Sequence, residues 1–328
     1  MTQAAWDSVQ VAGRKGKRRK ASPSDDQSDR MYKNTPLLTR LSPWLFIWPP
    51  VVLVILFSII PFINTIRLSF TDSTLLRPGK FVGLEQYIRV FHDPRVGTAL
   101  LNSTVYALVV APLMMILPLI IAVLVSGKGR LVGLFRTAFY IPVVAGSIIT
   151  GLIWTNLLSA RGLVNSVFNT LHWIQQPIPF LTDRWLLLFS CMAVTLWTGI
   201  GSNMVIYLAS LANISPSLYE AADIDGAGAV RKFTSITMPG VRSTMVMILL
   251  LSTISAFRVF NEVYLFTNGT GGIGGQDRTM SMLIMQEGTG LTARTGYASA
   301  ISIIMFFLLG SAILLQICLL YTSDAADE

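Results

Sequence analysis

Two stripes of mostly small residues carry hydroxyls at helical spacing. Thr195, Thr198, Gly199 and Ser202 fall at i, i+3, i+4 and i+7, and Ser252, Ser255, Ala256 and Val259 repeat that spacing. On helices each set shares one face. Hydroxyls placed so can exchange hydrogen bonds with whatever polar group lies against that face. The same small residues also let two helices approach closely, so pocket and packing are both open readings. Arg258 and Glu262 lie four apart, a spacing that pairs them on a helix. Inside a membrane such charges mark either a functional site or a structural pair.

Other chemistries find no residues to support them. No G-x-x-x-x-G-K-[ST] occurs, so the chain is not expected to hydrolyse ATP. H-E-x-x-H and G-x-S-x-G are missing too, and no catalytic residue is assigned. His92 and His172 have no cysteine ligands near them in sequence, and no metal site is expected. The run from Gly269 to Gly275 follows an apolar helix and no strand, so it reads as a flexible loop and not a phosphate cradle. Asn102-Ser103-Thr104 and Asn268-Gly269-Thr270 match the glycosylation pattern, which recurs by chance.

The elements that must position these stripes are set by composition. Charged residues make up 13% of the 328, about half of the roughly 25% usual in soluble proteins. That is too little charge to clothe a soluble enzyme of this size. Long apolar runs predict an all-α, polytopic membrane protein with six spans, near 43–66, 98–125, 135–158, 186–211, 243–266 and 298–320. Basic residues near span ends orient such a chain. A cytoplasmic N-terminus places 15 of the Lys and Arg inside and 9 outside, with Arg258 set aside, so both ends are expected in the cytoplasm. Residues 1–40 form a basic, polar arm whose composition predicts disorder and contact with anionic lipid, not nucleic acid. The final stretch, 318–328, reads CLLYTSDAADE. It resembles a reading frame of a sequencing adapter, and is expected not to be the natural terminus.

The segment 213–242, between the fourth and fifth spans, is the most informative. Ser215-Pro216 supplies an N-cap and a proline at the first helical position, and Ser217 with Glu220 offers an alternative capping box. A short helix carrying Ala221 and Ala222 should follow. Asp225-Gly226 makes a turn, and a second short helix with Phe233 and Ile236 on one face should stop before Pro239. The expectation is a helix–turn–helix knob on the cytoplasmic side.

Glu220-Ala221-Ala222, then Asp225-Gly226-Ala227, then Phe233, Ile236 and Pro239, resemble the EAA signature of maltose-type (carbohydrate) ABC importer permeases. Phe81-Val82-Gly83-Leu84-Glu85-Gln86-Tyr87 with Asp93, Pro94 and Asn102 resembles the segment before the second span in the first permease of a sugar pair. The run from Phe260 to Gly269 resembles the end of the fifth span. Ser243, Met238 and Thr270-Gly271 depart from the family's usual residues. The likeness covers about residues 40–317.

The resemblance implies a type I ABC importer permease fold, in a permease domain over 41–320. It implies a second permease, two ATPase subunits and an extracytoplasmic solute-binding protein as partners. ATP and Mg would be used by the ATPase, and no cofactor is held by this chain. Glu220, Ala221, Ala222, Asp225, Gly226, Ala227, Phe233 and Pro239 would form the ATPase-coupling loop. Counted from that loop, the eight residues of the two stripes align with positions that line the family's sugar site. An importer for another polar solute, such as glycerol phosphate, is the alternative. A membrane enzyme or channel would leave the knob unexplained.

Overall fold

The computed structural model describes residues 37–326 apart from Lys128. The expected basic arm up to residue 36, Lys128, and the last two residues of the tail lie outside the described residues. Among the described residues the chain is helical, and one isolated antiparallel bridge joins Thr71 to Phe81. Six helices are long and apolar enough to cross a membrane. The protein is a multi-pass membrane protein.

The chain divides into two compact units, one ending at Phe62 and one starting at Ile63. Helix α1 (Leu37–Val54) passes through one π turn (Ile55–Ile59) into α2 (Ile60–Ser69), within which the boundary between the units falls. Its side chains from Trp44 onward are largely exposed, Trp44 and Phe46 among the most open.

After the end of α2, the second unit continues with α3 (Glu85–His92), a short amphipathic helix, and α4 (Pro94–Leu124). Asp93 caps α4, accepting a bond from the Arg95 N–H at 2.9 Å, with Pro94 at the first position. The third crossing was expected as one helix over 135–158. It is two, α5 (Arg130–Val144) and α6 (Ser147–Leu158), separated by extended backbone at Ala145 and Gly146. Pro142 lacks the N–H that would carry the helix through and crowds the preceding turn. By length and hydropathy alone Ser147–Thr170 could also count as a span. The chain turns at 159–162, however, before α7 (Leu163–Thr170). We therefore treat α5 and α6 as one broken crossing.

Helix α8 (Arg184–Leu211) follows, and leads through α9 (Pro216–Ile224) and α10 (Ala229–Lys232) to α11 (Arg242–Phe257). The fifth crossing is also broken. α11 ends at Phe257, and α12 (Asn261–Phe266) begins after three non-helical residues. Helices α13 (Met280–Gly288) and α14 (Thr295–Ala326) complete the chain.

Three clusters of buried side chains hold the unit together. The first joins α4, α6, α8 and α12 around Tyr106, Leu187, Leu188 and Val263. The second joins α3, α4, α13 and α14 around Val90, Met280, Leu283 and Ile301. The third gathers Leu119, Met204, Tyr207, Val241 and Ile248 where α4, α8 and α11 meet near the knob. Lipid is as apolar as these side chains, so close packing and internal hydrogen bonds carry the association. Gly201 illustrates this, because a Cβ there would collide with the Phe139 carbonyl of α5. Tyr207 donates to the Met115 carbonyl at 2.8 Å, in the turn that Pro118 disturbs.

At the opposite end from the knob, an ionic clasp ties four helices. Glu287, at the end of α13, accepts from Arg95 at 2.7 Å and from Arg294 at 2.5 and 2.9 Å. Arg95 also forks onto Asp93, and Tyr297 donates to the same carboxylate at 2.7 Å. Burial works against the Asp93 charge, but the bonds from Arg95 and Tyr297 outweigh it and hold its carboxyl down at about 2.

Candidate functional site

The two broken crossings meet beside a cavity of about 490 Å³ with mixed polar and apolar walls. The Asn261 side-chain amide donates to the Ser147 hydroxyl at 3.2 Å, joining the first residue of α12 to the first residue of α6. Gly151 lies so close to Leu265 that a Cβ would collide with it, so α6 and α12 pack tightly. Each break exposes backbone that a continuous helix would conceal. Such backbone at membrane depth is tolerated where protein buries it or a cavity solvates it. Thr279 meets part of this need, donating to the Val259 carbonyl at 2.9 Å.

Seven of the eight stripe residues line this cavity. They are Thr195, Thr198, Gly199 and Ser202 from α8, and Ser252, Ser255 and Ala256 from α11. Val259 does not. It is buried in the first apolar cluster, because α11 ends two residues before it and the seven-residue spacing no longer holds it on the face. The hydroxyls differ in availability. Thr195 shares a 2.7 Å bond with Tyr106, whereas Thr198 and Ser202 bond carbonyls of their own helix and keep lone pairs free to accept.

The helix break also undoes the expected pairing of Arg258 with Glu262. Among the described residues no ion pair joins them, since the non-helical turn at 258–260 destroys the four-residue register. Arg258 is exposed, and Glu262 lines the cavity. Sequence reasoning missed Ser147, Thr150 and Asn203 as wall residues, and singled out Glu262 only as the partner of Arg258. Pro142 followed by Ala145-Gly146-Ser147 was the legible signal of the break that aims two of them inward. A larger groove of about 1090 Å³ runs along α3, α4 and α14, lined by side chains such as Phe91, Leu100 and Ile304. Its wall is mostly apolar, as suits a surface turned to lipid.

The expected knob forms. Pro216 starts α9, and Gly226, at φ +71°, turns the chain with Ala227 N–H bonding the Ala222 carbonyl at 2.9 Å. Neither predicted cap bond is made. The Ser215 hydroxyl bonds the Ser217 hydroxyl at 2.8 Å. The second helix was expected to stop before Pro239. It instead runs through a π turn, Phe233–Thr237, into the short helical turn Met238–Gly240. Pro239 falls at the start of that last turn and needs no N–H partner there.

Lys232 pairs with Asp223, and Tyr219 shares a 2.9 Å bond with Thr237, locking the two arms together. Glu220, Ala221, Asp225, Gly226 and Pro239 are exposed, while Ala222 and Ala227 are half-buried. Phe233 points the other way, packing on the third apolar cluster and anchoring the knob to the bundle. Leu218, Ile224 and Val230 stand exposed on the knob, an apolar surface the motif alone did not reveal.

The glycine run, expected to be flexible, is a folded turn. Asp277 N–H bonds the Gly271 carbonyl at 2.8 Å, and Gln286 donates to the Gly269 carbonyl at 2.8 Å. A side chain at Gly272 would collide with the Asp277 carboxylate, and its φ of +80° suits glycine. Burial pushes the Asp277 carboxyl up to about 6, against the pull of Arg184 and with help from Asp183. Asn102, in one of the two glycosylation matches, is buried and donates to the Gln276 and Arg278 carbonyls at 2.7 and 2.9 Å.

No family model matches the chain. Curated relatives do. The chain is 32% identical to the lactose transport system permease protein of Rhizobium radiobacter, over 83% of this chain and 92% of that one. It is 30% identical to the arabinooligosaccharides transport system permease protein of Halalkalibacterium halodurans, over 82% and 84%. Among solved structures it matches a chain of a bacterial alginate ABC transporter in complex with an alginate pentasaccharide-bound periplasmic protein. There the TM-score is 0.74 at 21% identity, over 85% of this chain and 94% of that one. Six apolar helices, a knob carrying the EAA residues and relatives at this identity along more than four-fifths of the sequence agree, and the chain belongs to the maltose-type family of carbohydrate ABC importer permeases.

Proposed function

We propose that this chain passes a carbohydrate into the cytoplasm through the cavity between α4, α8, α11 and the two helix breaks. The observation that carries the reading is the cavity itself. Seven residues of the two stripes line it, with hydroxyls and small apolar surface interleaved, a composition that suits a sugar. Relatives named for lactose and arabinooligosaccharides support the substrate class.

The chain supplies half of the pathway and a second permease the other half. An extracytoplasmic binding protein delivers the solute to the end bearing the clasp. The knob, with Glu220 and Asp225 outward and Phe233 anchored, docks on an ATPase subunit and faces the cytoplasm together with the N-terminus. ATP and Mg act on the ATPase subunits. Their closure would move the knob and rock the helices about the cavity, a rigid-body alternation of access.

Co-expression with the neighbouring transport genes tests this. The permease is expected to co-purify with an ATPase subunit, and the reconstituted complex to accumulate a labelled saccharide when binding protein and ATP are supplied. Purification of the chain free of any ATPase under conditions that preserve the complexes of its relatives would overturn it.

A further inference from the structure

Resting on the carbohydrate reading, we propose that Glu262 sets the charge class of the solute: this half of the pathway admits neutral or cationic hydroxylated molecules and repels anionic ones. Among the described residues lining the cavity, Glu262 carries the single formal charge, and the rest are hydroxyl, amide or apolar. The nearest basic residue in sequence, Arg258, is exposed, is not among the lining residues and, among the described residues, makes no ion pair with it. Glu262 therefore lines the same space as Thr195, Ser252 and Ser255, and no basic residue is among that lining. A carboxylate accepts hydrogen bonds and donates none when ionised, so it suits sugar hydroxyls. It opposes a uronate, phosphate or sulfonate group by like-charge repulsion in a confined cavity. The structural match includes an importer of an acidic polysaccharide, so the shared fold leaves solute charge to be decided by such wall residues.

The test reads the field directly. Ser255→Cys is made in the full complex, with its second permease and ATPases. It is treated with two methanethiosulfonate reagents of similar size, one bearing a trimethylammonium and one a sulfonate. Modification at position 255 is followed by peptide mass spectrometry and normalised to free cysteine. The ratio of cationic to anionic rates is expected to fall ~10-fold in Glu262→Gln. That is the order of magnitude expected of one nearby charge in a water-filled space, acting oppositely on the two reagents. Glu262→Asp should keep most of the ratio, and Glu262→Lys should lower it beyond Gln. A ratio that is the same with Glu and Gln at this position overturns the proposal. Lactose is added in parallel as a neutral probe and lactobionate as its anionic counterpart. Lactose but not lactobionate should protect the introduced thiol, and equal protection by both also overturns the proposal. A shifted ratio with protection by no neutral saccharide would instead count against the carbohydrate reading and leave the charge assignment standing.

Discussion

Gly199 and Ser202 face one cavity but answer different questions. Gly199 lies against the Met114 methyl, so a Cβ there needs that flexible tip to move. Gly199→Trp should therefore abolish uptake while the complex still assembles, as Met114 swings aside and the indole fills the cavity. Loss of assembly would mark the stripe as packing. Ser202→Ala is gentler, because it removes one neutral hydrogen-bonding partner worth about 0.5–1.5 kcal/mol. Half-maximal uptake should then need up to about tenfold more solute. Asp277 makes a separate prediction. Its carboxyl is raised to about 6, so the native loop holds the proton more tightly than the unfolded chain. The stability this contributes is present below about pH 4 and is lost as pH rises through about 6. With solvent screening discounted, it is on the order of 2 kcal/mol. Thermal unfolding of the purified protein should show that fall, and Asp277→Asn should flatten it. An unchanged pH profile in the Asn variant would assign the effect elsewhere.

At the scale of elements, the knob is rigid on one face and open on the other. The Lys232–Asp223 pair and the Tyr219–Thr237 bond close its two arms, and Phe233 roots it in the bundle. Such an element can transmit a displacement, because its parts cannot yield independently. Gly226→Pro places a ring, which requires φ near −65°, where the chain turns at +71°. Glu220→Lys reverses an exposed charge without touching the core. Both variants should insert into the membrane normally. Transport and binding-protein-stimulated ATP hydrolysis should fall together, by tenfold or more for the proline. Full stimulated hydrolysis in both would exclude the knob as the lever. The motif made the knob legible, since capping residues, a turn glycine and a proline act over a few residues. Its exposed Leu218, Ile224 and Val230 were not, because exposure depends on which face the bundle covers.

At the scale of the whole molecule, loops alternate between two ends of the bundle. The clasp, the glycine turn and the segment that Asn165 braces through the Ser159 and Ile178 carbonyls lie at one. The knob and the end of α4 lie at the other. If the knob faces the cytoplasm, a cysteine at Val230 in intact cells should resist a membrane-impermeant reagent, and react once the membrane is permeabilised. A cysteine at Leu291, exposed at the clasp end, should react from outside. Labelling of position 230 from outside would reverse the orientation.

Sequence alone determined the quantities that depend on local order along the chain. Hydropathy over windows of about 20 residues located the spans, and the EAA residues at fixed spacing located the knob. The helical period put Thr195, Thr198, Gly199 and Ser202 on one face. Only the tertiary structure decided where those periods fail. The breaks at Ala145–Gly146 and at 258–260 depend on whether neighbours satisfy the freed backbone, as Thr279 does for Val259. Those partners lie far away in sequence. One break removed Val259 from the cavity and separated Arg258 from Glu262; both breaks brought Ser147 and Asn261 together. A periodic pattern predicts a face only while the helix continues, and continuity is settled by long-range hydrogen bonds and packing.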